Sequence, residues 1–483
     1  MTVDSSLTAV DPNPDLPPDL GLFTILRLGL FNLGLGLMSV LTVAVLNRVM
    51  ISELGIPGWV TAGAIALPYL VSPARVWFGQ LSDSRPLWGL YRTGYVRLGV
   101  VMMGIMVWLA VQVVWQLGGA VAAAGQWSWQ DPAILGWAIA LSMIFLVYGL
   151  AVSACSIPFT ALLVDVSDES KRSKLVAIVW SKLMVGIVIG GIGGAIWGKI
   201  FIPEDLGDPL TTLYGPITAL FTAVPVIFFG LALIATWGIE RTYSRFQRRS
   251  ASHRREDSVT LQDTIRLLTT NRQTGIFFSF LLILTIGLFL QEAVLEPYGG
   301  EVFGMAIGET TALNSFWGIG ILLGYSATGF FLIPRFGKKQ VTKWGCGLVA
   351  VCFILIILAG FTQEAQVLKG AMILFGIAAG MTTIGSINLM LDLTTAETAG
   401  TFVGAWGLSQ AIARGLAIFS GGVILDVSRS LFQIPLLAYG AVFLLQSISM
   451  IVAIALLARV DVAEFRANTR TVLATAMEAD LDG

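Results

Sequence analysis

The chain has 483 residues, 56% of them apolar and only 12% charged, with a mean hydropathy of +0.81; no water-soluble domain of that size could cover so much apolar surface, so its solvent is lipid. A formal net charge of −1 hides a strong asymmetry along the sequence, and that asymmetry says more than the total. Cys155, Cys346 and Cys352 all fall in apolar stretches without a CxxC pair or zinc spacing, which argues against a disulfide framework or thiol-metal site and makes them small core hydrophobes.

In chain order, residues 1–21 carry Asp4, Asp11, Asp15 and Asp19 with four prolines among them. They have no basic n-region, so a disordered tail is expected rather than a signal peptide, and the first span must direct insertion. About twelve apolar stretches follow, centred near residues 37, 67, 106, 146, 187, 227, 284, 321, 353, 379, 413 and 446. Each is long enough to cross a hydrocarbon layer of about 30 Å as a helix, so an all-α membrane protein is expected. Glycine is abundant, at 53 residues, and Gly186, Gly190 and Gly194 have the small-xxx-small spacing of close helix contacts in lipid.

The basic residues sort to one side of such a bundle: Arg85 and Arg92; Lys171, Arg172 and Lys174; eight arginines from Arg241 to Arg272; and Arg335, Lys338, Lys339 and Lys343. That side is expected to be cytoplasmic, with both termini on it. The opposite loops hold Arg48, Lys199, Lys369 and Arg429 but many acids, including Asp131, Glu204, Asp205, Asp208, Glu301 and Glu364. A basic linker over 240–272 divides a six-helix half over 22–239 from a second over 273–458, and a cytoplasmic tail closes the chain at 459–483. The segment Arg241–Arg255 suits anionic lipid or a partner, or, more simply, a positive-inside anchor; no nucleic-acid-binding module accompanies it.

The halves echo each other. Gly79–Arg85 (GQLSDSR) aligns with Gly329–Arg335 (GFFLIPR) at an offset of 250 residues, and LLVDVSDE with LMLDLTTAE at an offset of 227, which sets Asp165 against Asp392. Parallel six-helix repeats organise major facilitator transporters. The loop from Gly79 through Asp83 and Arg85 to Gly89 and Arg92 resembles the glycine, aspartate and basic signature between the second and third helices of that superfamily. Gly79, Asp83, Arg85, Arg92, Asp165, Gly329 and Arg335 are therefore expected to latch the cytoplasmic side, glycine for close packing and carboxylate for pairing with arginine; the bland alternative is a plain turn.

Three further segments are more specific: LNRVMISELG from Leu46 to Gly55, Pro73-Ala-Arg75 before Phe78-Gly79, and QEAVLEPYGGEVFGM from Gln291 to Met305. With Ala161–Asp165 and Val179-Trp180, they are similar to the PucC-type family, the bacteriochlorophyll and chlorophyll branch of the major facilitators, over about residues 22–458. The middle loop and Gly118–Asp131, long for the family, depart from its pattern. The resemblance implies a protein of a photosynthetic membrane, thylakoid or inner. Such a protein handles chlorophyll or a related tetrapyrrole while light-harvesting or photosystem subunits assemble, and is a monomer outside those assemblies. Members have carried the label of a pigment synthase subunit, but no prenyl-diphosphate motif pair, P-loop, dinucleotide fingerprint or triad occurs here, so no enzyme is expected.

Ionisable residues at membrane depth cost about 2.5–3.5 kcal/mol each on insertion scales and so call for a partner or a task. Glu292 and Glu296, four apart, would share a helix face and repel unless one is protonated or a cation intervenes. Arg48, level with Tyr298 by the repeat offset, is the best such cation. An outward-side cluster of Asn47, Arg48, Glu292 and Glu296 at the central cavity is therefore expected, either as a ligand, gating or proton site or as an interhelical ion pair. Arg75 lies among Pro68 and Pro73, which kink the helix and free carbonyls for a guanidinium or let it snorkel. Arg414, among Ala411, Ala413 and Gly415, faces another helix or a ligand.

The single histidine, His253, lies in the basic loop, so a chlorophyll magnesium would need an oxygen donor: Gln291, Glu292, Asn388, a backbone carbonyl or water. Trp77, Trp180, Phe316, Trp317 and Trp406 are candidates to flank a flat macrocycle, or packing and interface residues. Two rival functions remain open at this level: a proton-coupled transporter of a small solute using the Glu292 and Glu296 face, and an assembly scaffold that transfers no ligand.

Overall fold

The computed structural model describes residues 20–167, 169–203, 207–244, 272–392 and 399–461. The expected N- and C-terminal tails, nearly all of the basic linker with His253, and Glu204 and Asp205 lie outside them, as do the side chains of Lys171, Arg172, Lys174, Asp392 and Trp406.

Among the described residues, eleven helices are long and apolar enough to cross a membrane. The first half comprises α1 (Leu22–Glu53), α2 (Gly58–Leu70), α3 (Ala74–Ser84), α4 (Thr93–Ala124), α5 (Pro132–Asp165), α6 (Glu169–Phe201) and α7 (Pro209–Tyr243). The second comprises α8 (Arg272–Phe289), α9 (Leu295–Phe303), α10 (Ile307–Phe336), α11 (Lys338–Thr362), α12 (Ala365–Asp392), α13 (Ala399–Leu431) and α14 (Pro435–Ala458). The twelfth span is α2 with α3: Pro68 and Pro73 withdraw backbone donors, and the helix breaks over Val71–Pro73 into a turn held by Ser72 N to Tyr69 O. Each half thus carries six spans, and the bundle is an integral membrane protein. Large apolar side chains such as Ile105, Met143, Ile196, Val226 and Ile451 stay exposed, as lipid contact allows.

Two connections show how local chemistry sets the ends. Trp88 and Gly89, both at positive φ, form a two-residue turn closed by the Leu87 and Leu90 backbones, a geometry for which glycine is suited. On the other face, Gly125 in the left-handed region ends α4, and the Asp131 carboxylate caps α5 through Ala133 N at 2.8 Å, with Pro132 at the first helical position. Gly118–Ala124 is therefore helix, and the outer loop anticipated from Gly118 is confined to the residues between the two caps.

The duplication is visible in the packing. α4 lies on α5 as α11 lies on α12, and α1 on α6 as α8 on α13; between halves, α6 meets α10 as α13 meets α2. Small residues permit these approaches: a Cβ on Gly186 would lie 2.1 Å from Leu33 O, and one on Gly194 would meet Thr311 at 2.5 Å. Gly186→Ala should therefore push α6 off α1 and cost about 1–3 kcal/mol, read as a lowered unfolding midpoint in detergent. Gly193→Ala, where nothing lies within 4 Å, should leave that midpoint in place.

Candidate functional site

A cavity of about 280 Å³ lies between the halves, walled by α1, α2, the start of α3, α5 and α6 on one side and by α8 to α10, α12 and α13 on the other. Its lining is largely aliphatic and aromatic, with Ser39, Thr42, Gln291 and Asn314 as neutral polar exceptions and Arg75, Glu292, Glu296 and Arg414 as charged ones.

The acids do not share a cation. Residues Leu290–Ala293 wind as a 3₁₀ turn and Val294, at φ −124°, is outside the helix before α9 begins, so the face expected to stack Glu292 on Glu296 does not exist. Glu292 instead turns to α13 and accepts from Arg414 through both oxygens, Nε to Oε2 at 2.8 Å and Nη2 to Oε1. The guanidinium is sandwiched by Phe289, at 4.2 Å to the ring centre, and Tyr69, at 4.6 Å. Glu296 turns to α10, where Asn314 Nδ2 donates to Oε1 at 2.9 Å, and its Oε2 is buried without a partner. Asn47 is fully buried beside Glu296, with neither amide atom in hydrogen-bond geometry.

Arg48 does not join this group, contrary to expectation. The segment Val49–Glu53 is π-wound, which brings residues five apart into line, and Arg48 Nη1 meets Glu53 Oε1 at 2.9 Å. Its guanidinium fills the space over Gly300, where a Cβ would fall 2.1 Å from Cζ. Arg75 also differs from its expectation: it lines the cavity and its Nε has no partner, so no carbonyl freed by the prolines satisfies that atom.

The anticipated latch is a cluster within the first half. Arg92, buried, donates from Nε to Asp165 at 2.8 Å and from Nη1 to Ser82 at 2.7 Å, and pairs with Asp83. Arg85 is exposed and contributes only its carbonyl, to Tyr95. Gly329 faces open space and Arg335 is exposed over the Phe336 ring, so the second-half echo takes no part in the cluster. Gly79 is in ordinary contact, 3.6 Å from Ile157, and the close packing invoked for both glycines is not needed.

Sequence reasoning missed Glu240, read only as the start of the basic stretch. Its carboxylate accepts from the backbone N–H groups of Tyr91 (2.6 Å), Arg92 and Thr93 (2.7 Å) and from the Thr93 hydroxyl (2.7 Å), tying the end of α7 to the start of α4. An acid heading a run of arginines was the available signal. Glu240→Ala should cost about 1–2 kcal/mol, as lost helix caps do, and hydrogen exchange should quicken at Thr93–Val96 first.

Also missed was the closure on the opposite face, where the halves meet. Asp426 of α13 accepts from Gly58 N at 3.1 Å and Trp59 N at 2.7 Å, at the start of α2. Glu301 binds Arg429 at 2.7 Å and Ser52 at 3.1 Å, and Arg429 also donates to Tyr439. Toward the basic face, α3 packs on α5.

Of the side-chain oxygens expected to serve a chlorophyll magnesium, none is free on the cavity wall; the oxygen left without a partner there is Glu296 Oε2. Gln291 Oε1 accepts from Gln446 Nε2 at 2.6 Å, both Glu292 oxygens are held by Arg414, and Asn388 is not part of the cavity wall. Among the described residues no group of three or more histidine, cysteine or acidic side chains could hold a metal ion. Of the aromatic candidates, Trp317 lines the cavity; Trp77 and Trp180 are exposed and Phe316 packs against the core. The three cysteines are free and buried.

Two six-span halves around a central cavity define the major facilitator fold. Solved structures of the nucleoside transporter NupG (TM-score 0.65, 14% identity, 90% of this chain and 98% of that one) and of a bacterial homologue of the iron transporter ferroportin in an inward-facing state (0.62, 15%, 90% and 99%) share it. Identities that low speak to the fold alone. The model of the PUCC protein family matches residues 45–465, and the chain belongs to that family. Its relatives include the "Bacteriochlorophyll synthase 44.5 kDa chain" of Rhodobacter capsulatus, 30% identical over 466 residues that cover 94% of this chain and 99% of the relative. "Protein PucC" of Cereibacter sphaeroides is 28% identical over 444 residues, covering 90% and 92%.

Proposed function

We propose that this chain handles chlorophyll or a related tetrapyrrole in a photosynthetic membrane and assists assembly of light-harvesting or photosystem complexes, without itself being an enzyme. The family match over residues 45–465 carries the reading, supported by a relative of matching length whose name ties it to bacteriochlorophyll. An aromatic-walled cavity between two halves of a transporter fold is a suitable place for a flat apolar ligand. The basic face is cytoplasmic and carries both termini, in line with the positive-inside rule.

The test is gentle purification of the full chain from a photosynthetic host, an absorption scan for red chlorin bands, and identification of co-purifying subunits. Pigment in stoichiometric amount with antenna or photosystem subunits is the expected result. Partners without pigment would point to a scaffold. Neither pigment nor partners, together with substrate-dependent alkalinisation in vesicles, would replace the reading with that of a proton-coupled transporter.

A further inference from the structure

Arg75 is a charge on the cavity wall that no carboxylate pairs: of the two acids lining the cavity, Glu292 is held by Arg414 and Glu296 by Asn314. Arg75 follows Pro73 at the start of α3, and its side chain lines the cavity. Its Nε lacks a partner, and the ionisable groups that act on it are Tyr69 and Arg414. Tyr69 is a phenol, uncharged near neutrality. Arg414 is a second cation, and both oxygens of its carboxylate partner are already engaged. Among the described residues, then, Arg75 has no counter-ion. A guanidinium left alone beside apolar walls is costly, and such residues within membranes mark ligand paths. A second donor points to the same occupant: Trp317 Nε1, on the wall of this cavity, is buried without an acceptor. The remaining surface, including Ile65, Phe145, Tyr148, Leu183 and Phe375, is suited to an apolar body.

We infer that the cavity receives an amphiphile whose anionic head, a carboxylate or a phosphate, is bound by Arg75 while its apolar body lies against the aromatic wall. The guanidinium fork matches either head bidentately. This deepens the pigment reading and rests on it in one respect, the identity of the body. A chlorin bearing a free acid side chain answers Arg75, whereas a fully esterified pigment leaves it unpaired.

The test uses the full chain in phosphatidylcholine nanodiscs, titrated with a metal-free chlorin acid, its methyl ester and a long-chain alkyl phosphate, with quenching of tryptophan emission as the readout. The acid should bind at least ~10-fold more tightly than the ester, a difference worth about one charge-assisted hydrogen bond. Arg75→Gln should bring the acid down to the affinity of the ester and leave the ester unchanged. Arg75→Lys, a point charge without the fork, should keep part of the preference; if Arg75→Gln does not fold, the acid-to-ester ratio in Arg75→Lys decides. Equal affinities for acid and ester, unmoved by Arg75→Gln, overturn the inference and leave the pigment reading standing. Binding of alkyl phosphate that needs Arg75, with neither chlorin bound, upholds the anion site and removes pigment from the cavity. Competition by phosphatidylglycerol in the disc, lost in Arg75→Gln, upholds the site with a lipid headgroup as its source. Binding of none of the three probes overturns it.

Discussion

Arg414→Met should destabilise the protein by about 3–5 kcal/mol, the range for removing one partner of a buried ion pair, and toward the lower end because the Arg414 side chain keeps 31% exposure to the cavity. The cost is that of leaving Glu292, 9% exposed, without its cation. Glu292→Gln should cost less, since the amide still accepts one bond from the guanidinium and the stranded cation retains the Phe289 and Tyr69 ring faces. The double variant Glu292→Leu with Arg414→Met should regain most of the lost stability, because two apolar side chains avoid desolvating two charges. The unfolding midpoint in detergent gives the three values and their coupling. Accumulation of pigment-protein complexes separates the two meanings of the pair. If it serves register alone, the double variant recovers assembly together with stability. If the pair is a working part of the cavity, stability returns and assembly does not. A double variant as unstable as Arg414→Met alone would show that the ion pair is not what holds α8 and α13 together here.

The route to that pair shows what is legible in a sequence. Glu292, Glu296, Arg48, Arg75 and Arg414 could all be named, because a charge in an apolar stretch is conspicuous in one dimension. Their pairing could not. It depends on two departures from α-helical winding, the 3₁₀ turn at Leu290–Ala293 and the π segment at Val49–Glu53. Each redirects a carboxylate by a fraction of a turn, and no residue type announces either one. The span count, the split into two halves and the break near Pro68 and Pro73 were readable because hydropathy and proline act locally. The latch was legible only in part: Asp83, Arg92 and Asp165 do meet, but the echo at Gly329 and Arg335 is a likeness of sequence without a shared contact. Glu240 and Asp426 escaped notice because each acts on the backbone of a distant helix end, and backbone donors carry no sequence signature.

The face opposite the basic loops should open when Asp426 is removed. Its carboxylate accepts from Gly58 N and Trp59 N, two donors at the start of α2 with no intrahelical partner, where the helix dipole adds to the attraction. Bonds of this kind are worth about 1.5–3 kcal/mol each. They join α13 of one half to α2 of the other, so they exist only while the halves are closed on this face, and their whole value enters the equilibrium between closed and open forms. Losing even 3 kcal/mol moves that equilibrium by on the order of 100-fold. Spin labels at Trp129 and Phe432, exposed positions in opposite halves, should report a longer distance in Asp426→Ala than in the unsubstituted chain, and an intermediate one in Asp426→Asn. Glu301→Gln is the control. Its partner Arg429 keeps Tyr439, and both side chains of that pair are a quarter or more exposed, so the change should be worth about 0–1 kcal/mol and barely move the distance. An unaltered distance in Asp426→Ala would mean that the close approach of Gly58 and Gly422, where a Cβ on Gly422 would lie 2.4 Å from Gly58 O, holds this face shut by packing alone. Gly422→Leu would then be the substitution that opens it.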